Sequence, residues 1–109
     1  MNENERAPMT EAMYYVLLAI HKPLHGYAIM NAIREASGGR VNMGPGTLYG
    51  ILKRMEKDKL IVLEDSDGRR KNYQITSSGR IAFKQEYMRL TKMVEDGDVL
   101  FRGEGSNEK

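Results

Sequence analysis

The feature that most constrains this chain is a helical segment that runs directly into a β-hairpin. From Gly46 or Thr47 to Lys57, the apolar residues Leu48, Ile51, Leu52 and Met55 recur at helical spacing. At 100° per residue they share an arc of about 100°, one face for a core. The opposite side carries Gly46, Tyr49, Gly50, Lys53 and Lys57, a surface that is cationic, aromatic and partly bare. Leu60-Ile61-Val62-Leu63 and Asn72-Tyr73-Gln74-Ile75 then read as two strands. Asp67-Gly68 is the expected turn between them, because a tight hairpin needs residues that tolerate positive φ. Arg69, Arg70 and Lys71 stand consecutively on its flank.

The remaining segments supply helices to cover that unit. Residues 1–8 read as a disordered leader that stops at Pro8, and its acids and lack of an apolar run exclude a signal peptide. Thr10 is placed to cap a first helix over about residues 11–21, with Met13, Val16, Leu17 and Ile20 on its apolar side. Pro23 ends that helix. A second begins near His25-Gly26, carries Tyr27, Ile29, Met30 and Ile33, and closes at Ser37-Gly38-Gly39. Gly44-Pro45-Gly46 reads as a turn. After the hairpin, Thr76 caps a fourth helix over about residues 77–95, some 27 Å long. There Phe83, Tyr87, Leu90 and Val94 are spaced 4, 3 and 4 apart, the seam of a coiled coil or bundle. Asp96-Gly97-Asp98 is expected to end it, leaving 96–109 as a flexible tail. The divisions are therefore a leader (1–8), a helix-and-hairpin unit (9–76), a C-terminal helix (77–95) and the tail (96–109).

Several function classes fall away. With no cysteine there is no disulfide, thiol nucleophile or thiolate metal site, which fits a cytoplasmic protein. His21 and His25 are four apart, but Pro23 breaks the helix that would align them, and no carboxylate completes a metal set. The longest apolar stretch, Val16 to Ile20, is too short to cross a bilayer. No Gly-rich phosphate loop and no nucleophile, base and orienter suggest an enzyme, and no cofactor is implied.

The order of elements is mainly α with a small β-hairpin, the winged helix-turn-helix arrangement with a C-terminal dimerisation helix. A helix about 10 Å wide fits the major groove of double-stranded DNA, and a hairpin beside it reaches neighbouring backbone. Such a protein needs cations on the outer helix face and at the wing, and small residues where backbones approach. Lys53, Lys57, Arg69, Arg70 and Lys71 supply the first, Gly46 and Gly50 the second. Gly46 and Thr47 at the helix start offer free N–H groups to an anion. The seam, aided by Met13, Tyr14 and Leu17 of the first helix, is expected to join two copies. Phe83 and Tyr87 are candidates for an apolar space at that seam that takes a small aromatic or phenolic effector by ring stacking. The competing readings are a winged-helix module for protein contacts and a DNA-binding protein without effector. The first would show apolar anchors where this chain shows Gly46, Gly50, Lys53 and Lys57.

Three stretches together are specific. His25-Gly26-Tyr27-Ala28-Ile29, the run from Gly46-Thr47-Leu48-Tyr49 to Glu56-Lys57-Asp58, and Gly68-Arg69-Arg70-Lys71-Asn72-Tyr73-Gln74-Ile75-Thr76 strongly resemble PadR-type transcriptional regulators. The likeness covers about residues 9–95 and looks like the compact branch, with a single helix after the wing. It implies a homodimer, a pseudo-palindromic operator, and repression relieved by a small molecule. It also implies that the stretch from Gly46 to Tyr49 enters the major groove, with Tyr49 and Lys53 facing DNA and the basic wing holding backbone. One departure is Lys59, which stands where the family usually has glycine. A non-glycine residue held left-handed there is strained by about 1 kcal/mol.

Overall fold

The computed structural model describes residues 8–65 and 71–107. The expected Asp67-Gly68 turn, Arg69, Arg70 and most of the proposed leader lie outside the described residues, as does the side chain of Lys71. The elements in chain order are α1 (Glu11–Ala19), α2 (Gly26–Ala36), α3 (Pro45–Lys57), β1 (Ile61–Asp65), β2 (Lys71–Ile75) and α4 (Ser77–Asn107).

Each helix starts and stops for local reasons. Thr10 Oγ1 accepts the Met13 N–H at 3.1 Å, the expected cap of α1. Pro45 is the first residue of α3 rather than part of a preceding turn, a position where its missing N–H and fixed φ cost nothing. The ends of α2 and α3 share one design. Gly38 takes φ 64° and the Gly39 N–H returns to the Arg34 carbonyl at 2.8 Å. Lys59 takes φ 65°, and the Leu60 N–H returns to Met55 at 3.0 Å. Both are the paired closing bonds of a left-handed helix terminus, with buried Leu60 and Met55 supplying the apolar contact of the second. The strain at Lys59 is therefore present.

β1 and β2 pair antiparallel, with Leu63 opposite Tyr73 and Ile61 opposite Ile75. Leu24, just past Pro23, adds a bridge to Tyr73 through bonds of 2.8 and 3.3 Å, so the α1–α2 connection forms a third edge of the wing. The core gathers Val16, Leu17 and Ile20 from α1, Ile29 and Ile33 from α2, and Leu48, Leu52 and Met55 from α3, closed by Leu60, Ile61, Tyr73 and Ala82. Each such aliphatic side chain contributes about 1.5–3 kcal/mol by leaving water. This is a winged-helix fold.

A corner joins the wing to α4. The Thr76 hydroxyl donates to the Lys59 carbonyl at 2.7 Å and accepts the Gly79 N–H at 2.9 Å, while the Thr76 N–H donates to Leu60 at 3.1 Å. A Cβ on Gly79 would collide with the Leu60 carbonyl, so only glycine lets α4 approach this closely.

α4 corrects two expectations. It does not stop at Asp96-Gly97-Asp98 but runs to Asn107, so residues 96–107 are helix rather than flexible tail. Ion pairs one turn apart span the apparent stop, Lys92–Asp96 at 3.5 Å and Arg102–Asp98 at 3.8 Å. They offset part of the roughly 1 kcal/mol that a mid-helix glycine costs. The helix is then about 46 Å long, in a molecule 63 Å in its longest dimension. α1 lies antiparallel against its first half: Thr10 and Glu11 share a cavity with Arg89 and Leu90, whereas Leu17 and Leu18 share one with Arg80 and Phe83. Residues beyond Leu90 run past the start of α1. No helix among the described residues is long and apolar enough to cross a membrane.

Candidate nucleic-acid interface

The outer arc of α3 is open along its length. Gly46, Thr47, Tyr49, Gly50, Lys53 and Lys57 are all exposed, while Leu48, Leu52 and Met55 on the opposite side are in the core. A Cβ added to Gly46 or Gly50 would meet nothing within 4 Å, so the chain's own packing demands glycine at neither place. Gly50 sits in a helix interior, where glycine destabilises by about 1 kcal/mol relative to alanine. Arg54 is also on this helix and pairs loosely with Asp58 at 3.9 Å, both exposed. β2 begins at Lys71, and α3 leads directly into β1 of the same hairpin.

Tyr49 is 47% exposed and occupies the edge of the arc. Its ring lies over Gly26, the first residue of α2, a neighbour that sequence reasoning did not assign to it. Behind it, Tyr73 of the wing is buried. That burial chiefly raises the Tyr73 phenol above its usual range, with Glu56 and Tyr49 adding to it. The contact joins residues far apart in sequence, and the signal for it is a glycine at a helix start whose backbone does not itself call for one.

The proposed dimer and effector residues divide. Leu17 is 1% exposed within the core of its own chain, so it has no surface to offer a second copy; α1 is apolar on more than one face, and this residue lies on the inner one. Phe83 stacks on Tyr14 of its own chain, centroids 4.5 Å apart and planes 22° apart. Met13, Tyr14 and Leu90 are half-buried, and Tyr87 and Val94 are exposed, Val94 at 64%. Neither of two cavities beside α1 and α4 is lined by both Phe83 and Tyr87. The space at the α1–α4 face, about 320 Å³, is lined instead by Tyr14, Tyr15, Arg40, Glu86, Arg89 and Leu90 among others. Phe83 borders a smaller one of about 170 Å³ with Leu17, Leu18 and Arg80.

Glu86 is 8% exposed and forms an ion pair with Arg89 through both carboxylate oxygens. The Arg89 guanidinium holds the Glu86 carboxyl below its usual range against the opposing effect of burial, helped by the Met9 backbone N–H. At the rim, Arg40 pairs with Glu11 at 2.6 Å and donates to the Tyr15 hydroxyl at 3.2 Å. His21, just past the end of α1, has Nδ1 2.8 Å from the Leu18 carbonyl of that helix.

Comparison with known proteins places this geometry. The profile of the transcriptional regulator PadR-like family matches residues 16–85. A transcriptional regulator from Clostridium thermocellum is 30% identical with a TM-score of 0.64, covering 80% of this chain and 90% of that one. A PadR family transcriptional regulator from Eggerthella lenta superposes with a TM-score of 0.70 at 22% identity, over 83% of this chain and 80% of that one. Among curated relatives, an uncharacterized 37.1 kDa protein of transposon TN4556 from Streptomyces fradiae is 38% identical over 84 residues, 76% of this chain. The matched region spans 24% of that relative's length. The chain belongs to the PadR-like family of transcriptional regulators, winged-helix DNA-binding proteins rather than enzymes.

Proposed function

We propose that this chain is a cytoplasmic, homodimeric repressor that binds a pseudo-palindromic operator, with the stretch from Gly46 to Tyr49 of α3 in the major groove and the wing on the backbone. The observation that carries the reading is the outer arc of α3: exposed, cationic, and bare at two glycines that the fold does not require. Thr47 and Tyr49 face base edges, Lys53 and Lys57 face phosphate, and Arg69, Arg70 and Lys71 grip the adjacent backbone. Two copies join through α4, where Tyr87, Val94 and Phe101 stand exposed in the single chain. A small aromatic or phenolic effector held beside α4 changes the spacing of the two α3 helices and releases DNA.

Salt-titrated binding to the DNA upstream of the chain's own gene tests this. Lys53→Ala and the double change Arg69→Ala/Arg70→Ala each weaken binding and flatten the salt dependence, by about 0.9 in log–log slope for each phosphate no longer neutralised. Wild-type slopes in both variants would contradict the surface assignment.

A further inference from the structure

Gly26 is buried at the first position of α2. Its backbone is not in the left-handed region, where among the described residues only Gly38, Gly39 and Lys59 are found. Helix propensity there favours alanine. What excludes a side chain is one neighbour: a Cβ on Gly26 would lie 2.7 Å from Tyr49 Cζ and 2.9 Å from Cε1, and closer still to the hydroxyl oxygen. The three nearest atoms all belong to that single ring. The ring adds little to the core, because Tyr49 remains almost half exposed while its neighbours Leu48 and Leu52 are fully buried. The contrast with Gly46 and Gly50, which stand over open space on the same surface, separates two uses of glycine.

We propose that Gly26 is a positioning residue for DNA reading: by having no side chain it seats the Tyr49 ring on the α2 backbone and fixes its exposed edge before DNA arrives. The proposal rests on the reading of the α3 arc as the DNA surface. An ordered ring loses less side-chain freedom on binding than a mobile one, which raises affinity for the site it fits. The effect belongs to specific recognition rather than to charge, since no cation is involved.

The test compares wild type, Gly26→Ala, Tyr49→Ala and the double variant on a labelled duplex from upstream of the chain's own gene, with a random-sequence duplex of equal length as reference. Gly26→Ala is expected to weaken upstream binding about tenfold, the scale of one base contact, with an unchanged salt slope. Tyr49→Ala weakens it by a similar factor, and the double variant is no weaker than Tyr49→Ala alone. Wild-type affinity in Gly26→Ala, or penalties that multiply in the double variant, would overturn the proposal. Should Gly26→Ala fold poorly, Tyr49→Ala and the double variant, which lack the ring, still decide it: equal affinity supports the proposal and a further loss overturns it. In the free protein, fluorine NMR with 3-fluorotyrosine reads the ring directly, and an unmoved Tyr49 signal in Gly26→Ala also overturns it. A wild type with no affinity for either duplex at low salt removes the DNA reading and this proposal together; a wild type that binds but ignores Gly26→Ala removes the proposal alone.

Discussion

α3 and the far half of α4 both leave much of their surface uncovered, but with opposite chemistry. α3 turns Leu48, Leu52 and Met55 inward and shows solvent lysines, glycines and one tyrosine edge. α4 beyond Leu90 shows solvent Met93, Val94, Val99, Leu100 and Phe101. A surface of the first kind is stable in water and awaits a polyanion; one of the second kind awaits apolar contact. On the proposed reading, one small fold keeps its DNA surface and its self-contact apart along its length. The seam residues Phe83, Tyr87, Leu90 and Val94 continue at the same spacing into Gly97 and Phe101, the latter 71% exposed.

The largest effect should come from placing a charge on the apolar side. Val94 is exposed in the single chain, so Val94→Glu should leave the fold intact by circular dichroism. It should weaken self-association at least about a hundredfold, the consequence of burying an unpaired charge in a seam. Sedimentation that still reports a dimer would place the interface elsewhere. A smaller change sharpens the other side. Gly50→Ala should raise stability by about 0.5–1 kcal/mol in urea melts, since its Cβ enters open space, yet weaken operator binding by crowding the DNA. Gains in both would show that nothing approaches Gly50.

How much of this was legible depends on the range of the interactions. The core face of α3 and the Thr10 and Thr76 caps follow from residues a few positions apart, and local spacing reveals them; the strained Lys59 is legible only through the family resemblance, which puts glycine there. The full α4 was hidden because Asp96-Gly97-Asp98 looks like a helix stop until its ion pairs with Lys92 and Arg102 are seen. That Leu17 faces its own core and not a partner is not legible, because α1 is apolar on several faces and periodicity alone does not say which face the core takes. The seating of Tyr49 on Gly26 and the bridge of Leu24 to Tyr73 join distant residues and carry no local pattern.

Two lesser predictions separate the DNA surface from the frame that holds it. Lys59→Gly relieves the left-handed strain and should add roughly 0.5 kcal/mol of stability, with DNA affinity unchanged because the corner lies behind the arc. Altered affinity would mean that the corner sets the wing's position. The smallest effect concerns pH. The folded Glu86 carboxyl lies below its unfolded value, so its contribution is complete above the ordinary carboxylate range near pH 4.3 and is lost as pH falls through the folded value. Stability of Glu86→Gln should therefore fall less steeply than wild type on acidification below that range; parallel curves would show that the Arg89 pair contributes nothing.

The central claim is that two copies, joined through α4, present paired α3 faces to one duplex. Sedimentation equilibrium of the intact protein with a labelled duplex from upstream of its gene measures that at low ionic strength. A dimer alone and two chains per duplex with DNA are the expected results. A monomer that leaves the duplex sedimenting as free DNA would contradict it.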